Sequence, residues 1–218
     1  MPNNNTPAII AIVAFFIVIV GGGAYAFSQI NKSSYMPNDK NMGSMSNTSN
    51  NNSMGNMDHS MMSMDMAAVV LGDQTFIEQM IPHHQEAVDT SKIIIAKTSD
   101  PELKEFAQNV INDQTKEIEQ MKGWYKTWFN KDYASAASTN MMGNLTQLSG
   151  LDLDKSYIKG MIMHHQGAIS MAKKIQSITQ KDEIKQLANN IVTSQTKEIA
   201  TLLGWMMSKY NDRSMMGM

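Results

Sequence analysis

Two histidine doublets hold most of the chemical content of this 218-residue chain. His83 and His84 stand in MIPHHQEAV, and His164 and His165 stand in MIMHHQGAI; together they are four of the chain's five histidines. A methionine precedes each doublet by three residues, Met80 in one and Met161 in the other, and Met171 follows His164 by seven. On a helix these spacings place side chains on one face, so each doublet has a thioether stacked against an imidazole. Imidazole suits Cu(II) and thioether prefers Cu(I), which makes the combination a copper ligand set. A lone buried histidine usually satisfies one polar neighbour. Two adjacent histidines project about 100° apart on a helix and cannot share such a neighbour.

The elements that position these residues come from a duplication. Pairing residues 76–125 with 157–206, a displacement of 81, gives 21 identities in 50 columns without a gap. QTKEI at 114–118 recurs at 195–199, and Gly123-Trp124 recurs as Gly204-Trp205. A repeat of this length is one supersecondary unit used twice. Each unit reads as a helical hairpin. In unit one the turn is Ser99-Asp100-Pro101-Glu102, a cap residue followed by proline at the first helical position. Asp73 and Asp154 are the expected N-caps of the first helices. Leu103, Phe106, Val110, Met121, Trp124 and Trp128 recur at helical spacing, as do Ile184, Leu187, Ile191, Leu202 and Trp205. Helices are expected over 73–98, 100–129, 154–179 and 181–210. Their apolar faces predict an all-α four-helix bundle over 73–210, made of units 73–130 and 154–210. Pro82 is expected to kink the first helix just before His83. The link at 130–153 is Ala/Ser/Asn/Gly-rich and permits either a short loop or a crossover along the bundle.

Counting from the turn sets the level of each side chain. His83 lies 16 residues before Ser99, and Gln114 and Glu117 lie 15 and 18 after it, so antiparallel helices bring them together. The same arithmetic places Gln195 and Glu198 beside His164. Each hairpin is thus expected to carry one polar layer in an apolar seam, with the glutamates orienting the imidazoles of any metal site.

The N-terminal third is of other material. Residues 1–7 form a short tail, and residues 8–27 are uncharged and long enough to cross a hydrocarbon core of roughly 30 Å as a transmembrane anchor. A cleaved signal peptide is the alternative, because Ala24-Tyr25-Ala26 resembles a cleavage site. Either delivers the remainder outside the cytoplasm, membrane-anchored or secreted. Residues 28–72 are expected to be a flexible Met/Asn/Ser-rich tether. It carries Met42, Met45, Met54, Met57, Met61, Met62, Met64 and Met66, with His59 among them. Filling core gaps does not explain methionine where there is no core. With no cysteine and 22 methionines in the chain, thioether donors suit an oxidising compartment in which thiols are lost. The tail at 211–218 repeats the theme with Met215, Met216 and Met218. A net charge of −2 and a pI near 6.2 give no footprint for nucleic acid.

MIPHHQEAV and MIMHHQGAISMA, each followed by a helix containing KEI and then Gly-Trp, resemble the family known as domain of unknown function 305, over about 73–210. That resemblance implies a ferritin-like bundle, usually exported, with copper-binding members, and Met80, His83, His84, Met161, His164, His165 and Met171 as metal ligands. Family copies often carry a methionine seven residues after the first histidine; unit two has Met171 there and unit one has Thr90, which ranks unit two as the stronger site. The leading expectation is an extracytoplasmic protein that buffers, sequesters or delivers copper, Cu(I) or Cu(II), without chemistry of its own, partnered by the metal ion, the membrane and another copper-handling protein. The alternatives are a ferritin-like redox enzyme, against which stands the absence of any Glu-x-x-His, and an interaction module with structural histidines.

Overall fold

Helix starts and stops decide where this chain turns. The computed structural model describes residues 66–134 and 139–215. Four long helices follow one another within them: α1 (Asp73–Lys97), α2 (Pro101–Phe129), α3 (Gly150–Gln176) and α4 (Asp182–Ser208). The Asp100 carboxylate accepts the backbone N–H groups of Glu102 (2.9 Å) and Leu103 (3.2 Å), and Pro101 follows it, as the turn between α1 and α2 predicts. α2 ends at Asn130, whose φ of 52° is a left-handed value that asparagine tolerates. α1 runs through Pro82 unbroken.

Three expected boundaries move. α3 begins at Gly150, so Asp154 is not its cap but lies a turn inside, buried. Leu153 belongs to the core and must already be helical to reach it. At α1 the N-cap is Gly72 rather than Asp73, and Thr75 Oγ1 accepts the N–H groups of Leu71 (2.9 Å) and Gly72 (3.0 Å). The packed chain also starts before residue 73, because Val70 is fully buried and Met66 packs against the same core. The apolar run Ala67–Leu71 ends the tether early. At the other end Met215 is buried and Asp212 pairs with Lys159 at 2.8 Å, so part of the Met-rich tail is packed too.

α1 packs on α2 and α3 on α4, and the two hairpins meet through α1 and α3. These two run antiparallel: Ser91, late in α1, bonds the hydroxyl of Tyr157, early in α3, at 2.7 Å. α2 therefore ends at the opposite end of the bundle from the start of α3, and the link between hairpins must be a crossover. It bonds α1 along the way, at Glu86 through Met142 N (2.7 Å) and Thr139 Oγ1, and at Lys97 through the carbonyl of Leu148 (3.3 Å). A single long crossover is the connection of ferritin-like bundles.

The interior is divided in two. One apolar cluster gathers Phe76, Ile77 and Met80 of α1 with Met121, Met171, Ile175 and Ile184. The other gathers Ile94, Leu103, Leu153, Tyr157, Met161 and Leu202. Between them, at mid-height, lie the histidines.

Candidate metal centre

The duplication and the antiparallel packing of α1 on α3 make His83 and His164 neighbours across the interface. Their ring centroids are 3.7 Å apart at an interplanar angle of 33°. His164 Nε2 lies 2.7 Å from the backbone carbonyl of His83; it donates there, which leaves Nδ1 of His164 with its lone pair. The polar layer expected in each hairpin is thus one layer shared by both. All four doublet histidines have 0% exposure, and Gln114 and Gln195 are buried at the same level.

The glutamates reach different rings from those the helix count assigns. Glu117 Oε2 lies 2.8 Å from Nε2 of His84, and Glu198 Oε2 lies 2.6 Å from Nε2 of His165. The count fixes height along the helices but not direction around them. The second residue of each doublet turns toward its own hairpin partner, and the first turns toward the other hairpin. These contacts have ion-pair distance without the alignment of a ring N–H hydrogen bond, so both nitrogens count among those lacking an aligned partner. Every doublet ring nitrogen except His164 Nε2 is in that condition, as are Oε1 of Gln114 and Gln195. A buried polar atom left so costs on the order of 1–3 kcal/mol.

Electrostatics keeps the stacked rings neutral. Burial pushes the His83 ring well below the ordinary histidine range, and the nearby His164 pushes it further. Burial likewise lowers His164, with His165 adding to the effect. Neutral imidazole is the form that binds metal. Where α2 and α4 approach each other, Asp113 is raised by burial against the pull of Lys116, and Glu198 and Glu117 raise it further. Carboxylates of both helices therefore gather on one rim of the layer. Among the described residues no three His, Asp or Glu side chains converge as a metal-binding group, and thioethers are the other soft donors the sequence offers here.

The sulfur is close at hand. Met80, Met161 and Met171 all have 0% exposure. They do not group by unit. Met80 and Met171 line one core and Met161 the other, because α1 and α3 run in opposite directions. Met42, Met45, Met54, Met57, His59, Met61, Met62 and Met64, and the apolar span at 8–27, lie outside the described residues. Among the described residues no helix is long and apolar enough to cross a membrane.

A family model described as Domain of unknown function (DUF305) matches residues 73–206. The chain belongs to this family. Among solved structures, CopM in its Cu(I)-bound form is similar with a TM-score of 0.59 and 37% identity, over 64% of this chain and 98% of that one. CopM in an Ag-bound form gives 0.57 at the same identity and the same coverage. A DUF305 protein of Streptomyces coelicolor, taken to be secreted, gives 0.58 and 26% identity over 65% of this chain and 95% of its own. Uncharacterized protein L153 of Acanthamoeba polyphaga mimivirus is 52% identical over 46 residues, 21% of this chain, which spans 30% of that relative's length.

In this DUF305 chain the two repeats differ where the crossover lies on them. Glu86, buried in α1, holds the crossover through Met142 N and Thr139 Oγ1, while its repeat partner is Gly167. Thr90, the repeat partner of Met171, has Met142 Sδ 3.2 Å from its hydroxyl, and Met142 also packs on Gly160. The crossover thus brings a thioether against the position where unit one has threonine in place of methionine. Met141 and Met142 are absent from the ligands inferred from sequence. The available signal was a pair of adjacent methionines in an otherwise Ala/Ser/Asn/Gly-rich link.

Proposed function

We propose that this chain is an extracytoplasmic copper-binding protein, carried by a membrane anchor or exported at residues 8–27, that buffers, sequesters or hands on the metal without catalysing a reaction. The bundle would hold copper in the layer between its cores, through His83, His84, His164 and His165 with Met80, Met161 and Met171. The observation that carries this reading is the set of fully buried imidazoles whose nitrogens lack aligned partners, with thioethers on both sides. A layer built only for register would be expected to satisfy its own polar atoms. CopM, described with Cu(I), Cu(II) and Ag bound, supports the choice of metal, and the Streptomyces relative supports the compartment. A di-iron oxidase would need Glu-x-x-His pairs and further inward carboxylates, and the chain has no Glu-x-x-His.

On this reading the tether and the bundle bind separately. Removing residues 36–64 stops short of the packed Met66 and leaves the bundle whole. In a Cu(I) titration against a chromophoric chelator, the shortened chain is expected to bind fewer equivalents than the full chain and to keep those of the bundle. Complete loss of binding would assign all copper to the tether and overturn the bundle site.

A further inference from the structure

Three segments far apart in sequence converge at Gly167. A Cβ at that position would lie 3.1 Å from Nε2 of His83, 3.5 Å from Cε of Met141 and 3.7 Å from Cγ of Met66. His83 comes from α1, Met141 from the crossover and Met66 from the turn that precedes α1. His83 has 0% exposure and neither of its ring nitrogens has a hydrogen-bond partner. Met66 and Met141 are partly buried and form the outer wall of the spot. In unit one the corresponding position is Glu86, whereas in unit two no side chain stands between α3 and these three residues.

We infer that His83 Nε2, Met66 and Met141 form a discrete site for a soft monovalent cation, Cu(I) or Ag(I), at the edge of the histidine layer. The inference rests on the copper reading above and adds to it a place and a ligand set. One imidazole nitrogen and two thioethers are soft donors suited to a d10 cation. A thioether is only a weak hydrogen-bond acceptor, so neither methionine satisfies the imidazole as well as a metal would. The ligands also explain the asymmetry of the repeats. Glu86 fixes the crossover at Met142 and Thr139, which holds Met141 over α3, and glycine at 167 keeps the approach clear. Binding there would join the start of the packed chain to the crossover.

The test is a Ag(I) titration of the full chain with 13C-methyl-labelled methionine, followed by NMR, each resonance being assigned through its Met→Leu variant. The methyl resonances of Met66 and Met141 are expected to shift with one midpoint, together with the His83 ring. Met141→Leu, which keeps the volume, is expected to weaken the response of Met66 by about tenfold or more while Met161 and Met171 respond as before. If Met161 and Met171 respond and Met66 and Met141 do not, the two side chains only fill space and this site is refuted, with copper in the layer untouched. If no methionine of the bundle responds, both this site and the copper reading fail. An unchanged Met66 midpoint in Met141→Leu would also overturn the shared site.

Discussion

Metal-free protein is expected to lose stability to urea as the pH falls below about 6.5, with a limiting slope of about 2.7 kcal/mol per pH unit. The cause is the stacked pair. His83 and His164 are both held well below 6.5, burial being the larger cause for each. The unfolded chain therefore binds two protons that the folded chain refuses. A base whose folded pKa is depressed contributes stability that is complete above the unfolded value and is lost as pH falls toward the folded one. Two rings with centroids 3.7 Å apart cannot both become cationic without separating. The window lies apart from that of the paired carboxylates. Glu78, held low chiefly by its hydrogen bond from Tyr125 at 2.7 Å, contributes only nearer pH 4 and below. Copper-loaded protein is expected to resist the same acidification, since protons must then displace the metal. Urea midpoints that stay level from pH 7.5 to 5 in the metal-free protein would show that the rings take protons without consequence.

The second large effect concerns the doublets as ligands. His164→Ala with His165→Ala is expected to weaken copper binding in the bundle by more than about a hundredfold. Glu198→Gln, which leaves every proposed ligand in place and alters only the partner of His165, should cost about 10- to 100-fold. His83→Ala with His84→Ala is expected to do as much damage as the unit-two pair. From sequence alone unit two ranks higher, because it has Met161 and Met171 where unit one has Met80 and Thr90. The equal effect proposed here rests instead on Met80 sharing a core with Met171 and on Met142 coming up against Thr90 on the side of Met161. Chelator-competition titrations of the two double variants, read beside their melting curves, decide it. Copper affinity surviving in one double variant would restore two independent sites.

The contrast between these two rankings marks what can be read from the residues. The hairpin with its Asp100-Pro101 turn, the duplication and the height of Gln114, Glu117, Gln195 and Glu198 follow from local rules: capping, helical period and chain length. Three features do not. The stacking of His83 on His164 depends on α1 meeting α3 antiparallel, which no spacing within a unit encodes. The pairing of Glu117 with His84, and Glu198 with His165, depends on rotation about the helix axes, which a count along the chain leaves free. The roles of Met141 and Met142 depend on the path of a crossover that has no periodicity to read. The burial of Val70 was legible in part, since Ala67–Leu71 is apolar, but the low complexity before it masks the change.

Copper in the layer between the two cores is the central claim, and anomalous diffraction at the copper edge from crystals of Cu(I)-loaded protein tests it most directly. Copper density is expected at mid-height of the bundle, beside the rings of His83, His84, His164 or His165 and within reach of a methionine sulfur. Density confined to the tether or the surface, with the four rings left as they stand in the metal-free protein, would contradict it.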